Sequence, residues 1–175
     1  GNIDGEYQRF ILWASNESLS LLRMENEVFI DATFRVTPHP FAQCLIIMAF
    51  DVTTNIYVPC VWALMTSRCE YLYCEIIHAI IVQLNYSWTP KSVVVDFEKA
   101  LLNCVRYQFP KSKIIGCYFH MRQALFRRLR KIGIPEEETN LVLDEMKNLI
   151  SCQQSEVEDT IESIKSNPIL KDRSW

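Results

Sequence analysis

Several absences narrow what the 175-residue chain can be. No apolar run approaches the ~20 residues of a bilayer span, and "CLIIMAF", starting at Cys44, is at most a buried strand. The opening "GNIDGEYQRF" has neither a basic flank nor an apolar signal core, and it lacks an initiator Met. It reads as an excised piece of something longer. There is no excess of positive charge. A net charge of −3 argues against a surface that coats nucleic acid everywhere, while leaving room for a local basic patch. Nor is there a paired cysteine framework. The seven cysteines (Cys44, Cys60, Cys69, Cys74, Cys104, Cys117 and Cys152) are an odd number, set mostly within apolar runs. There a reduced thiol acts as a small hydrophobe, which fits a reducing, intracellular setting. Internal repeats and low-complexity segments are also missing.

What is present suits one globular domain: 49% of residues are apolar and 22% charged, ordinary values for a chain that builds a proper core. "SNESLSLLRMEN" predicts a short helix, with Ser15 or Asn16 as cap and Leu19 and Leu22 on one face. Three β-rich runs follow, "VFIDATF", "FAQCLIIMAF" and "IYVPCVWALM". Polar "DVTTN" predicts a hairpin between the last two, and the two prolines of "RVTPHP" exclude strand interior between the first two. The period then changes. In "CEYLYCEIIHAIIVQLNY", Leu72, Tyr73, Ile76, Ile77, Ile80, Ile81 and Leu84 share a helical face. "SVVVDF" reads as a covered parallel strand, and "EKALLNCVRYQF" as a helix with Ala100, Leu101, Cys104 and Val105 inward. "KIIGCYF" is a further strand and "HMRQALFRRLRK" a further helix. Two helices close the chain, one with Pro135 at its first position, the other opening on a capping box of Ser155 and Glu158.

This order predicts an α/β domain. A mixed sheet, with three antiparallel strands and then parallel ones, carries flanking helices and a helical C-terminal tail. It is the element order of a ribonuclease H-like fold. Residues 1–134 would form the core and 135–175 a helical segment.

Asp31 interrupts an apolar strand, where an ionised carboxylate needs a rim position, a cation or a site. Asp96 ends the fourth strand. In a ribonuclease H-like sheet the first and fourth strands are neighbours, so both carboxylates would emerge at one end. Two like charges so close invite a cation, and Mg²⁺ (or Mn²⁺) suits a pair of carboxylates while keeping positions for water and phosphate. Taken singly, an Asp at a strand end also serves as a turn former or helix cap. Glu98, nearby, falls in a helix's first turn, where the dipole accounts for it.

The blocks "FIDATFRVTPHPFAQCLIIMAF", "VPCVWALM", "SVVVDFEKAL" and "GCYFHMRQALFRRLRKIGI" resemble, in order and spacing, those of the Mutator-like (MULE) transposase domain. The resemblance implies a ribonuclease H-like catalytic core with a D-D-E triad that uses divalent metal to cleave and transfer DNA strands in the nucleus. Asp31 matches the first acid and Asp96 the second, as catalytic and metal-binding residues. The family's third acid, a Glu, lies beyond a helical insertion, of which 135–175 would be the start. No motif here matches it. Glu136, Glu137, Glu138 and Glu145 sit in an amphipathic helix and are not nominated, so the chain alone is expected to be inactive.

Cys117 and His120 match the family's Cys-x-x-His pair. Alone they are half a zinc site, and no other cysteine supplies partner spacing, so zinc is disfavoured. His120 either touches a phosphate or carboxylate or caps its helix. Arg122, Arg127, Arg128, Arg130 and Lys131 share one helix whose Ala124, Leu125, Leu129 and Ile132 face inward. They form either a DNA-contacting patch or a solvated face. Trp13, Trp62, Trp88 and Trp175 read as core or interface residues. DNA is the expected partner, with self-association, and neither a membrane nor a nucleotide cofactor. The competing reading is a domesticated, non-catalytic module that binds DNA or protein. A third is a ribonuclease H-like nuclease unrelated to transposition.

Overall fold

A computed structural model of the chain describes residues 2–3, 6–24, 26–34 and 37–170. Arg35 and Val36 of the proline-bearing link, and Trp175, lie outside the described residues. The chain divides into two compact units, Gly1–Cys117 and Tyr118–Trp175. In the first unit the elements are β1 (Asn2–Ile3), β2 (Glu6–Tyr7), β3 (Phe10–Trp13), α1 (Asn16–Met24), β4 (Glu27–Thr33), β5 (Gln43–Asp51), β6 (Ile56–Met65), α2 (Glu70–Gln83), β7 (Ser92–Val95), α3 (Lys99–Gln108) and β8 (Lys113–Gly116). β1 and β2 pair only with each other; the rest form a six-stranded sheet in the order β3-β6-β5-β4-β7-β8. β4, β5 and β6 are an antiparallel meander, and β7 returns parallel beside β4, followed by parallel β8. This is the ribonuclease H-like fold, extended at one edge by β3.

Local chemistry explains the joints. Ser15 Oγ accepts the Ser18 amide at 3.0 Å, capping α1. Asp51 organises the β5–β6 hairpin by accepting from the Thr53 amide and the Thr54 hydroxyl, and Asn55 takes the positive φ of 58° that the turn needs. Pro59 sits within β6, yet it removes no needed donor. β3 covers β6 only from Trp62 onward, and the register slips at Pro59 to leave Cys60 as an extra residue.

Strand alternation divides the sheet into two unlike faces. Val28 and Ile30 of β4, Leu45, Ile47 and Ala49 of β5, Val61, Ala63 and Met65 of β6, and Val93 and Val95 of β7 are buried on one face. They share a core with Leu72, Ile76, Ile77 and Ile80 of α2 and Leu101, Cys104 and Val105 of α3. Each fully buried Val, Leu, Ile or Met side chain among them contributes about 1.5–3 kcal/mol. The other face, with Phe29, Asp31, Ile46, Trp62 and Val94, is only half-buried.

The second unit comprises α4 (Tyr118–Lys131), α5 (Glu136–Glu145), α6 (Asn148–Ser151), a 3₁₀ turn (Gln154–Glu156) and α7 (Val157–Lys165). α4 ends in a Schellman motif. Gly133, at φ 85°, donates to the Arg130 carbonyl and Ile134 to the Leu129 carbonyl. Ile134 and Leu129 then join Val142, Leu143, Met146 and Ile164 in a separate core.

Several expectations are corrected. β3 is an additional strand, unheralded because "FILW" is a short apolar run without alternation. α4 begins at Tyr118, so "YF" belongs to the helix and not to the strand before it. Pro135 is the N-cap of α5 and stands one residue outside it, with its carbonyl accepting from the Thr139 hydroxyl. The capping box uses Gln153 and Glu156 instead of Ser155 and Glu158. Ala124 is exposed, and Phe126 is half-buried on the packed side of α4. Among the described residues no helix is long and apolar enough to cross a membrane.

All seven cysteines are free thiols, and burial pushes those of Cys44, Cys60 and Cys104 upward in pKa. Native-state alkylation followed by mass spectrometry is therefore expected to spare these three while modifying half-buried Cys69, Cys74, Cys117 and Cys152. Labelling of Cys104 as fast as Cys117 would contradict the packing described.

Candidate active site

The parallel ladder between β4 and β7 pairs Glu27 with Ser92, Val28 with Val93, Phe29 with Val94 and Ile30 with Val95. Asp31 and Asp96 each follow the last of these pairs, and Asp96 lies one residue past β7, which ends at Val95 and not at the acid as expected. Because Ile30 and Val95 turn into the core, the alternation sends Asp31 to the opposite, half-buried face. The same row continues on either side. Asp31 pairs with Ile46, Ile46 with Trp62, and Trp62 with Trp13. Beyond Asp96, the β7–β8 register, which pairs Val95 with Gly116, brings Cys117 alongside, and the Cys117 amide donates to the Val95 carbonyl at 2.8 Å. Asp31, with Ala32 and Thr33 following it in β4, thus lies on the half-buried face of the sheet, away from the core.

Each carboxylate is oriented by the amide that follows it. Asp31 Oδ1 accepts from Ala32 at 2.8 Å and Asp96 Oδ1 from Phe97 at 2.6 Å. The Phe97 ring lies so close over Gly116 that a Cβ there would come within 2.5 Å of it. Glu98 is the N-cap of α3, and it does not occupy the first turn as expected. Its Oε2 accepts the Tyr73 hydroxyl at 3.0 Å, and that hydroxyl in turn accepts the Gln43 amide at 2.5 Å. Burial above all raises the Tyr73 pKa, with the Glu98 charge adding to it, so the phenol stays protonated as a donor. Arg68 places its guanidinium 5.2 Å from the centroid of exposed Phe34, just past the end of β4. Tyr73 and Gln43 escaped sequence reading because each lies in a run whose periodicity alone explains it. The one signal was Gln43, an amide among apolar strand residues.

The other nominated residues divide. His120 lies in the first turn of α4, in the second unit, its ring edge-on to Phe119 at 5.5 Å. Arg122 bonds Asp144 at 3.3 Å, and Lys147 bonds the same oxygen at 2.8 Å. Lys147 first and Arg122 second hold Asp144 below the usual carboxylate range. Arg130 donates to the Ile134 carbonyl at 2.7 Å, and Arg127 to Gln123 at 2.6 Å. Arg127, Arg128 and Lys131 are exposed, and among the described residues no carboxylate pairs with them. Also among the described residues, no three His, Cys, Asp or Glu side chains converge as metal ligands.

Residues 27–124 match the family described as MULE transposase domain. No curated protein matches the chain. Among solved structures, the catalytic core domain of BIV integrase is similar, at 13% identity and a TM-score of 0.32, over 86% of this chain and 87% of that one. The HTLV-2 integrase catalytic core domain in complex with magnesium, in its dimeric form, is similar at 10% identity and a TM-score of 0.31, over 80% and 83%. The simian T-cell lymphotropic virus intasome is similar at 11% identity and a TM-score of 0.34, over 83% of this chain and 49% of that one.

Gly116→Ala tests the packing of the Phe97 ring. The half-exposed Phe97 ring can swing away, so the stability cost is expected to be only about 1 kcal/mol. The Phe97 amide resonance should move strongly, because the donor to Asp96 moves with its ring. An unchanged resonance would show that the ring does not support the loop.

Proposed function

The chain belongs to the MULE transposase domain family, and on that premise we propose that its first unit is a metal-dependent domain for DNA strand cleavage and transfer. The observation that supports this reading is the parallel register of β4 and β7, which pairs Ile30 with Val95, the residues immediately before Asp31 and Asp96. Two hard carboxylate oxygens from neighbouring strands fit Mg²⁺ or Mn²⁺, ions that take one or two carboxylates and keep their remaining positions for water and phosphate. When bound, such an ion activates a water or hydroxyl nucleophile and stabilises the leaving oxygen of a phosphodiester. The part played by the chain itself is to hold two carboxylates in fixed register. The Ala32 and Phe97 amides orient them, and the strand ends keep them open to substrate.

The second unit would supply phosphate contacts. Arg128 and Lys131, with Arg127 bonded to the neutral Gln123, are its exposed charges on α4, whereas Arg122 and Arg130 are engaged by Asp144 and the Ile134 carbonyl. Residues 135–175 would be the start of the family's helical insertion. Duplex DNA in the nucleus is the proposed partner, with self-association of the domain on it.

The second reading is a domesticated module that binds DNA or a protein partner through the same fold. The two readings share metal and DNA binding but differ in turnover. The chain alone is expected to leave supercoiled plasmid intact in Mn²⁺; nicking that disappears in Asp31→Asn would show that two carboxylates suffice.

Calorimetric titration with Mn²⁺ is expected to give one site in the wild type that is lost in both Asp31→Asn and Asp96→Asn. Equal binding by wild type and variants would contradict the metal site. Substituting Arg127, Arg128 and Lys131 by Ala is expected to weaken DNA binding regardless of sequence. The slope of log K against log salt should shrink by roughly 0.9 for each phosphate contact removed. An unchanged slope would remove α4 from the DNA-binding surface.

A further inference from the structure

We propose that Tyr73 is a positioning residue for the acidic pair: held by Gln43, it anchors Glu98 and through Glu98 fixes the loop that carries Asp96. The proposal rests on the metal-site reading above and adds to it a support that reaches from the core to the strand end.

Three observations converge. First, a directional chain runs from the Gln43 amide N–H to the Tyr73 oxygen and from the Tyr73 O–H to the Glu98 carboxylate, crossing from β5 through α2 to the start of α3. An amide donor, a hydroxyl relay and a carboxylate acceptor polarise one another in that order. Second, the chain is costly where it lies. Gln43 and Tyr73 are both fully buried, and Gln43 Oε1 has no partner. An apolar residue at 43 would remove an unsatisfied group from the core, so the polar chain works against local stability. Such exceptions to core chemistry concentrate where a site needs them. Third, the chain ends two residues from Asp96. The segment between them is short. The Phe97 amide holds Asp96 Oδ1, and the Glu98 carbonyl accepts the Leu102 amide to begin α3. Glu98 has no side-chain bond to its own helix, so Tyr73 is what fixes the direction of its side chain. A phenol kept protonated by burial serves as a permanent donor and cannot serve as a base.

The Phe97 amide is a direct reporter, and it works without metal. The 175-residue chain would be compared with Tyr73→Phe, Glu98→Ala and Glu98→Gln by amide NMR and hydrogen exchange, using the Asn55 amide of the β5–β6 turn as reference. Tyr73→Phe and Glu98→Ala are expected to shift the Phe97 resonance and to speed its exchange severalfold over Asn55. Glu98→Gln still accepts from Tyr73 and is expected to keep the wild-type Phe97 signal. In the same variants that move Phe97, Mn²⁺ affinity should fall about tenfold or more, as when an outer-sphere partner of a metal ligand is lost. A Phe97 amide unmoved by Tyr73→Phe, or exchange rising equally at Phe97 and Asn55, would overturn the proposal. If wild type and Asp31→Asn bind Mn²⁺ alike, the metal reading fails by itself, and the Phe97 comparison still decides whether Tyr73 positions the loop.

Discussion

The pairing of β4 with β7 is the constraint from which the rest follows. A one-residue slip would carry every side chain of β7 to the other face of the sheet, moving Val93 and Val95 out of the core and Asp96 into it. Burying four aliphatic side chains, Val28, Ile30, Val93 and Val95, makes that slip expensive, and a bond between Ser92 and Glu27 pins the ladder's start. The same packing that stabilises the domain therefore fixes Asp31 on the half-buried face of the sheet, and the proposed site is built on that face.

The buried polar chain from Gln43 to Glu98 leaves one acceptor unsatisfied in a core otherwise built of aliphatic side chains. In the first unit hydrocarbon fills the space beneath α2 and α3, and in the second unit five basic residues share one helix. Within that second unit, charge is also divided by role. Arg130 completes a helix end and Arg122 joins α4 to α5, so a run of five basic residues is not five equivalent phosphate contacts.

Much of this was legible from the residues. Alternation in "VFIDATF" and "FAQCLIIMAF" and the 3.6 period of the helix at 70–83 come from burial on one face, so the meander and the crossover helices could be read directly. Ser15 as a cap is local chemistry and equally readable. The misses share a cause: each depends on a partner distant in sequence. Phe10–Trp13 becomes a strand only because β6 offers an edge, and Glu98 turns to Tyr73 because α2 lies over α3. Ala124 was assigned to the packed side because the phase of α4 is set by its own small core, in which Phe126 displaces it. Boundaries such as Pro135 and Gln153 moved by one or two residues, as helix ends do when caps compete.

The most direct test of the shared site is a crystal of the chain soaked in Mn²⁺ and measured at a wavelength where manganese scatters anomalously. The account predicts an anomalous peak within coordination distance of both Asp31 and Asp96, on the sheet face opposite Ile30. A well-ordered pair of side chains with no such peak, or manganese bound only elsewhere, would contradict it.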